Sequence, residues 1–132
     1  MGLQSELRAD KGVLVITIIS PPDRDEGDEA RALIHSLVDQ RRLRGVVLDL
    51  SLQQSSVLTA ARARAFLSRT DRQVARHMPD RTGPLRIAIV SRPGSFGHGI
   101  GRMLSGHAYD LPHVQLEQFE TLPEAEAWAA GA

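Results

Sequence analysis

Apolar residues along this chain fall into three short dense runs, with longer stretches of helical periodicity between them. GVLVITII (Gly12 to Ile19), VVLDLS (Val46 to Ser51) and LRIAIV (Leu85 to Val90) are rich in β-branched and aliphatic residues. They do not alternate, which is the pattern of strands buried on both faces. LQSELR, just upstream of the first run, pairs back onto it across Asp10-Lys11-Gly12, which predicts an opening hairpin. Pro21-Pro22 ends that strand. Ala30, Leu33, Ile34, Leu37 and Val38 then recur at helical spacing until Gly45 offers a C-terminal stop. A long helix is expected from Ser55 or Ser56, either able to cap it, to about Met78, before Pro79. Its apolar arc is Ala60, Ala63, Leu67, Val74 and Met78. A further helix is expected near Gly99 to Ala108, and then an edge strand at VQLEQF, where polar residues alternate. A last helix opens on Thr121 and Glu124, spaced as a capping box, and turns Leu122, Ala125, Trp128 and Ala129 inward.

The predicted order is β-β-α-β-α-β-α-β-α, read as one α/β domain over residues 1–132. Strands alternating with helices call for right-handed crossovers and a mostly parallel sheet with helices packed on it. The N-terminal strand is antiparallel, because a tight hairpin delivers it.

Sixteen Lys plus Arg balance sixteen Asp plus Glu, so no global field draws the protein to nucleic acid or to an anionic membrane. The absence of cysteine removes disulfides and thiolate chemistry. One Trp, one Tyr and three Phe are too few for a surface on which bases stack. MGLQSELRADKG carries charges in place of a long apolar core, so neither a secretory signal nor a membrane span is expected there, and the protein is expected in the cytoplasm.

Five glycines crowd SRPGSFGHGIGRMLSG, Ser91 to Gly106. Without a lysine the segment is no P-loop, and Gly97-His98-Gly99-Ile100-Gly101 lacks the spacing of the dinucleotide fingerprint. It reads as a strand-to-helix connection. The binding alternative is a small-ligand mouth over 94–102, with Phe96, Gly97, His98, Gly99, Gly101 and Arg102, where backbone amides at a helix start hold an anion.

No metal or cofactor is assigned. Asp23, Asp25, Glu26, Asp28 and Glu29 lack EF-hand spacing and suit a helix entrance. His35, His77, His98, His107 and His113 form no zinc pattern, and no nucleophile elbow surrounds Ser95 or Ser105. An enzyme would need a site assembled at strand ends from residues such as Asp49, His98, Arg102 and His107. At 100° per residue, Arg62, Arg69, Arg72 and Arg76 share one stripe of the long helix. That stripe is either a solvated face, with Asp71 nearby to balance it, or a docking stripe for an acidic partner or phosphate groups.

VVLDLS, then LRIAIV leading through Phe96 into GIGRML, then FETLPEAEAWA at the end of the chain carry a resemblance to the SpoIIAA-like (STAS-like) domain family, including its small bacterial STAS/SEC14-type members. The resemblance covers nearly the whole chain. His98 stands where that family usually has an aromatic residue. Gln53-Gln54-Ser55-Ser56-Val57 replaces the Asp-Ser-Ser-Gly segment whose serine is phosphorylated in anti-sigma-factor antagonists, so Ser55 and Ser56 are the candidates for such modification. What the resemblance implies is a fold and a binding role without catalytic residues. The expectation is a non-enzymatic cytoplasmic regulatory module acting through a protein partner or self-association. The alternative is a carrier of a small anionic or apolar, lipid-like ligand at the glycine-rich loop.

Overall fold

The computed structural model of the chain describes residues 3–18, 29–30, 32–34, 36–37, 43–51, 60–77, 83–92, 102, 106 and 111–131, with the side chains of 3, 60–63 and 77 outside that description. Five strands form one mixed sheet: β1 (Leu3–Arg8), β2 (Val13–Ile18), β3 (Gly45–Asp49), β4 (Leu85–Val90) and β5 (Val114–Phe119). Two helices have defined bounds, α1 (Ala60–His77) and α2 (Leu122–Ala129). Residues 29–30, 32–34 and 36–37 are also helical, as are 102 and 106.

The expected hairpin is present. β1 and β2 are antiparallel, with Leu3 opposite Ile18 and Arg8 opposite Val13. The Lys11 and Gly12 amides both donate to the Arg8 carbonyl, and Gly12 takes φ 67°, a conformation that favours glycine. Every other pairing is parallel, and the sheet order is the chain order, β1-β2-β3-β4-β5.

That order fixes where the helices go. From β2 to β5 each connection moves one place in the same direction, and right-handed crossovers then put every connecting helix on the same face. Ile34, Leu37, Leu67 and Val74 accordingly share one core with Leu14, Ile16, Ile18, Val46, Leu48, Ile87 and Ile89. Val13, Val15, Val47, Ala88 and Val90 alternate onto the opposite face, and α2 covers them with Ala125 and Ala129. A buried valine is worth about 1.5–3 kcal/mol over an exposed one, so four of them rival the about 5–15 kcal/mol net stability of an ordinary domain. The second face therefore has to be closed, and α2 closes it.

The contact is tight because the residues are small. Gly45 was expected as a helix stop; it instead opens β3, and a Cβ there would overlap the Ala129 carbonyl oxygen and lie 2.9 Å from the Ala129 Cβ. Polar ties hold α2 at its margins. Arg8 Nε donates to Glu126 Oε1 at 2.7 Å, and Arg86 Nη1 donates to the Trp128 carbonyl at 2.8 Å. The Arg86 guanidinium also lies 5.2 Å from the Trp128 ring centroid, and Phe119 packs on the same ring at 5.6 Å.

The capping box is altered. Thr121 has the extended conformation of a cap, but its hydroxyl donates to the Glu124 carboxylate at 2.8 Å and makes no cap bond to the backbone. The two side chains satisfy each other, and Pro123 removes one of the amides that a cap would otherwise need to satisfy.

Gly45→Ala is expected to cost about 1–3 kcal/mol, because the obstacle is main chain and only a shift of α2 relieves it. A lower urea midpoint with an unchanged slope is the expected result, and Ala129→Gly should not restore it.

Candidate functional site

The arginine stripe lies on α1. Arg69, Arg72 and Arg76 are exposed, and Arg64 is exposed as well, while Leu67, Thr70 and Val74 of the same helix are buried. Arg62 belongs to α1, but its side chain lies outside the described residues. Over seven residues the Arg69-Arg72-Arg76 row spans about 10 Å along the helix. Thr70 satisfies its buried hydroxyl locally by donating to the Phe66 carbonyl at 2.8 Å.

Asp71 does not serve as the expected counter-charge on that surface. It is 9% exposed, and its Oδ1 accepts from the His113 backbone amide at 2.7 Å. The reason is position: Asp71 belongs to the buried arc, and the residue ahead of β5 has an amide to satisfy. The only acid of α1 is thus spent on anchoring β5, and among the described residues Arg69, Arg72 and Arg76 pair with no carboxylate.

A second group of polar residues gathers at the carboxyl ends of the parallel strands. Asp49 ends β3 at 8% exposure, and its Oδ1 accepts from the Ser51 amide at 3.0 Å and the Ser51 hydroxyl at 2.6 Å. Strand alternation puts Asp49 on the α2 side of the sheet with Val47. Ser91 follows β4, its amide donates to the Phe119 carbonyl at 3.1 Å, and it is 2% exposed. Its Oγ is a buried side-chain atom without a hydrogen-bond partner among the described residues. Because the strands advance in one direction only, the parallel part of the sheet has no switch point at which diverging connections open a crevice.

Of the proposed ligand mouth, Arg102 is described, helical and exposed; Phe96, Gly97, His98, Gly99 and Gly101 lie outside the described residues. Ser55 and Ser56 lie outside them too, as do His35, His98 and His107 and most of the 23–29 acidic segment. Asp49 and Arg102 are therefore what the structure describes of the strand-end set. Among the described residues no group of three His, Asp or Glu is placed to hold a metal ion, and no helix is long and apolar enough to cross a membrane. Sequence reasoning missed Ser91. Its position after an unbroken apolar run was the available signal, but only packing reveals that its hydroxyl is left unpaired.

The chain matches no protein-family model, no curated protein and no solved structure.

Removal of the Asp71 acceptor should be felt at His113. Asp71→Ala is expected to cost about 1–3 kcal/mol, the usual penalty for a stranded buried amide. Asp71→Asn keeps a carbonyl acceptor and should lose less than half of that. Hydrogen exchange at the His113 amide should accelerate in the alanine variant well before it does in the asparagine variant.

Proposed function

We propose that this protein is a non-enzymatic binding module that docks an acidic protein partner through the exposed arginine face of α1. The observation that carries this reading is the inward turn of Asp71, which leaves Arg69, Arg72 and Arg76 as a row of exposed cations on one face of a helix. Arginine suits that task, since its fork-shaped guanidinium binds carboxylates in pairs and stays charged at every physiological pH. The resemblance to the SpoIIAA-like class supports the same reading, because it implies partner binding without inherited catalytic residues. The cytoplasm is the compartment that goes with it.

Two other anionic partners fit less well. Zero net charge and few aromatics argue against nucleic acid, which rewards a basic domain. A membrane-surface helix would flank its cations with large apolar residues, and the exposed neighbour in this row is Ala65.

The test is a fluorescence-anisotropy titration with a labelled poly-glutamate peptide over a range of salt. Wild-type protein should bind at low salt and weaken steadily as salt rises. An Arg69→Glu, Arg72→Glu, Arg76→Glu variant should lose binding by at least tenfold while keeping stability within about 0.5 kcal/mol, as exposed positions allow. Equal binding by the two proteins, or none by the wild type at low salt, would sink the reading.

A further inference from the structure

We propose that the outer edge of β1 is the interface of a two-fold symmetric dimer, in which β1 of a second copy pairs antiparallel with it and the two sheets become one. The surface is separate from the α1 arginine face.

The direction of the main chain sets what β1 offers. The Gly12 carbonyl accepts from the Arg44 and Gly45 amides, on the β3 side. Alternation along β2 then turns the main-chain groups of Val13, Val15 and Thr17 towards β1, where they meet Arg8, Glu6 and Gln4. The amides and carbonyls of Leu3, Ser5 and Leu7 therefore point away from the sheet, and no hydrogen bond among the described residues uses them.

Neither helix layer covers the middle of this strand. Gln4, Ser5 and Glu6 are exposed in succession, so solvent reaches both faces, while Leu7 is half-buried against the core. Proteins blunt exposed edges with proline, lysine or a bulge. β1 has none of these, and its register with β2 runs unbroken from Leu3 to Arg8. The opposite edge differs: the His113 and Phe119 carbonyls accept from β4, so Gln118 is among the residues of β5 that face outward, and Gln118 already has an interaction.

The sequence of β1 selects a second copy as the occupant and selects the register. A two-fold axis perpendicular to the sheet pairs residues of the same face. Centred on Ser5, it sets Ser5 opposite Ser5, Leu3 opposite Leu7 and Gln4 opposite Glu6. Each outward-facing pair exchanges two main-chain hydrogen bonds, about six in all, and each Gln4 amide can donate to a Glu6 carboxylate. Centring on Glu6 would instead bring Glu6 against Glu6, which like charge opposes, and centring on Gln4 or Leu7 leaves about three residues of each β1 paired. Because the axis is perpendicular to the sheet, the α1 helices of both copies lie on the same side of it.

Sedimentation equilibrium of the full chain over a micromolar-to-millimolar series tests this. Wild-type protein should show a monomer–dimer equilibrium. Ser5→Pro should stay monomeric throughout and keep the wild-type urea midpoint, since the Ser5 amide is no part of the β1–β2 ladder and edge strands tolerate proline. Gln4→Lys places a cation opposite Glu6 of the second copy and should tighten the dimer by about threefold, while Gln4→Glu should weaken it by about as much. Should Ser5→Pro lose stability, the two Gln4 variants decide, because that position is exposed. A wild type that stays monomeric to millimolar concentration would overturn the proposal. So would a dimer that a folded Ser5→Pro leaves intact, equal dimerisation by the two Gln4 variants, or effects of opposite sign, which would centre the axis on Glu6 and set Gln4 against Arg8.

Discussion

Everything in this fold depends on how closely α2 can approach β3. A sheet whose parallel strands advance one place at a time in one direction receives its crossover helices on one face only. Among the described residues, the other face holds Val13, Val15, Val47 and Val90 and one short helix, α2, to keep water from them. Gly45 lets the Ala129 main chain sit directly on the strand, and the alanines of α2 do the rest. Arg8 and Arg86 then tie the helix down from β1 and β4, so strands on either side of the contact share in fixing it.

The same asymmetry separates the closed apolar face from the charged one. The α2 side is closed by side chains that meet each other, with Trp128 between Phe119 and Arg86. On the other side α1 buries Leu67 and Val74 and turns Asp71 inward to the β5 entrance, and this leaves its outer surface purely cationic at Arg69, Arg72 and Arg76. A single carboxylate thus has two consequences: it holds the last parallel strand, and its removal from the surface leaves Arg69, Arg72 and Arg76 without an acid on their own helix. The strand ends form a third region, where Asp49 is satisfied by Ser51 and Ser91 is not.

Much of this was legible along the chain, for a definite reason. Apolar runs such as LRIAIV and VQLEQF mark strands because burial on two faces or one leaves an unbroken or an alternating pattern, and both strands fall on the residues the pattern marks. The hairpin turn at Gly12 was legible because positive φ favours glycine. Gly45 misled, because glycine at a helix end and glycine under a close contact look the same in one dimension. Asp71 misled too: helical spacing placed it near the arginines, while its partner, the His113 amide, lies far along the chain.

The sequence by itself determined which segments are strands and helices, which face of each is apolar, and that the first strand returns antiparallel, since these follow from local periodicity and turn chemistry. Only the tertiary structure decided the strand order, the covering of the second face by α2, the burial of Asp71 and the stranded hydroxyl of Ser91. Those depend on which distant segments meet, and a contact between residues far apart leaves no periodic trace in either of them.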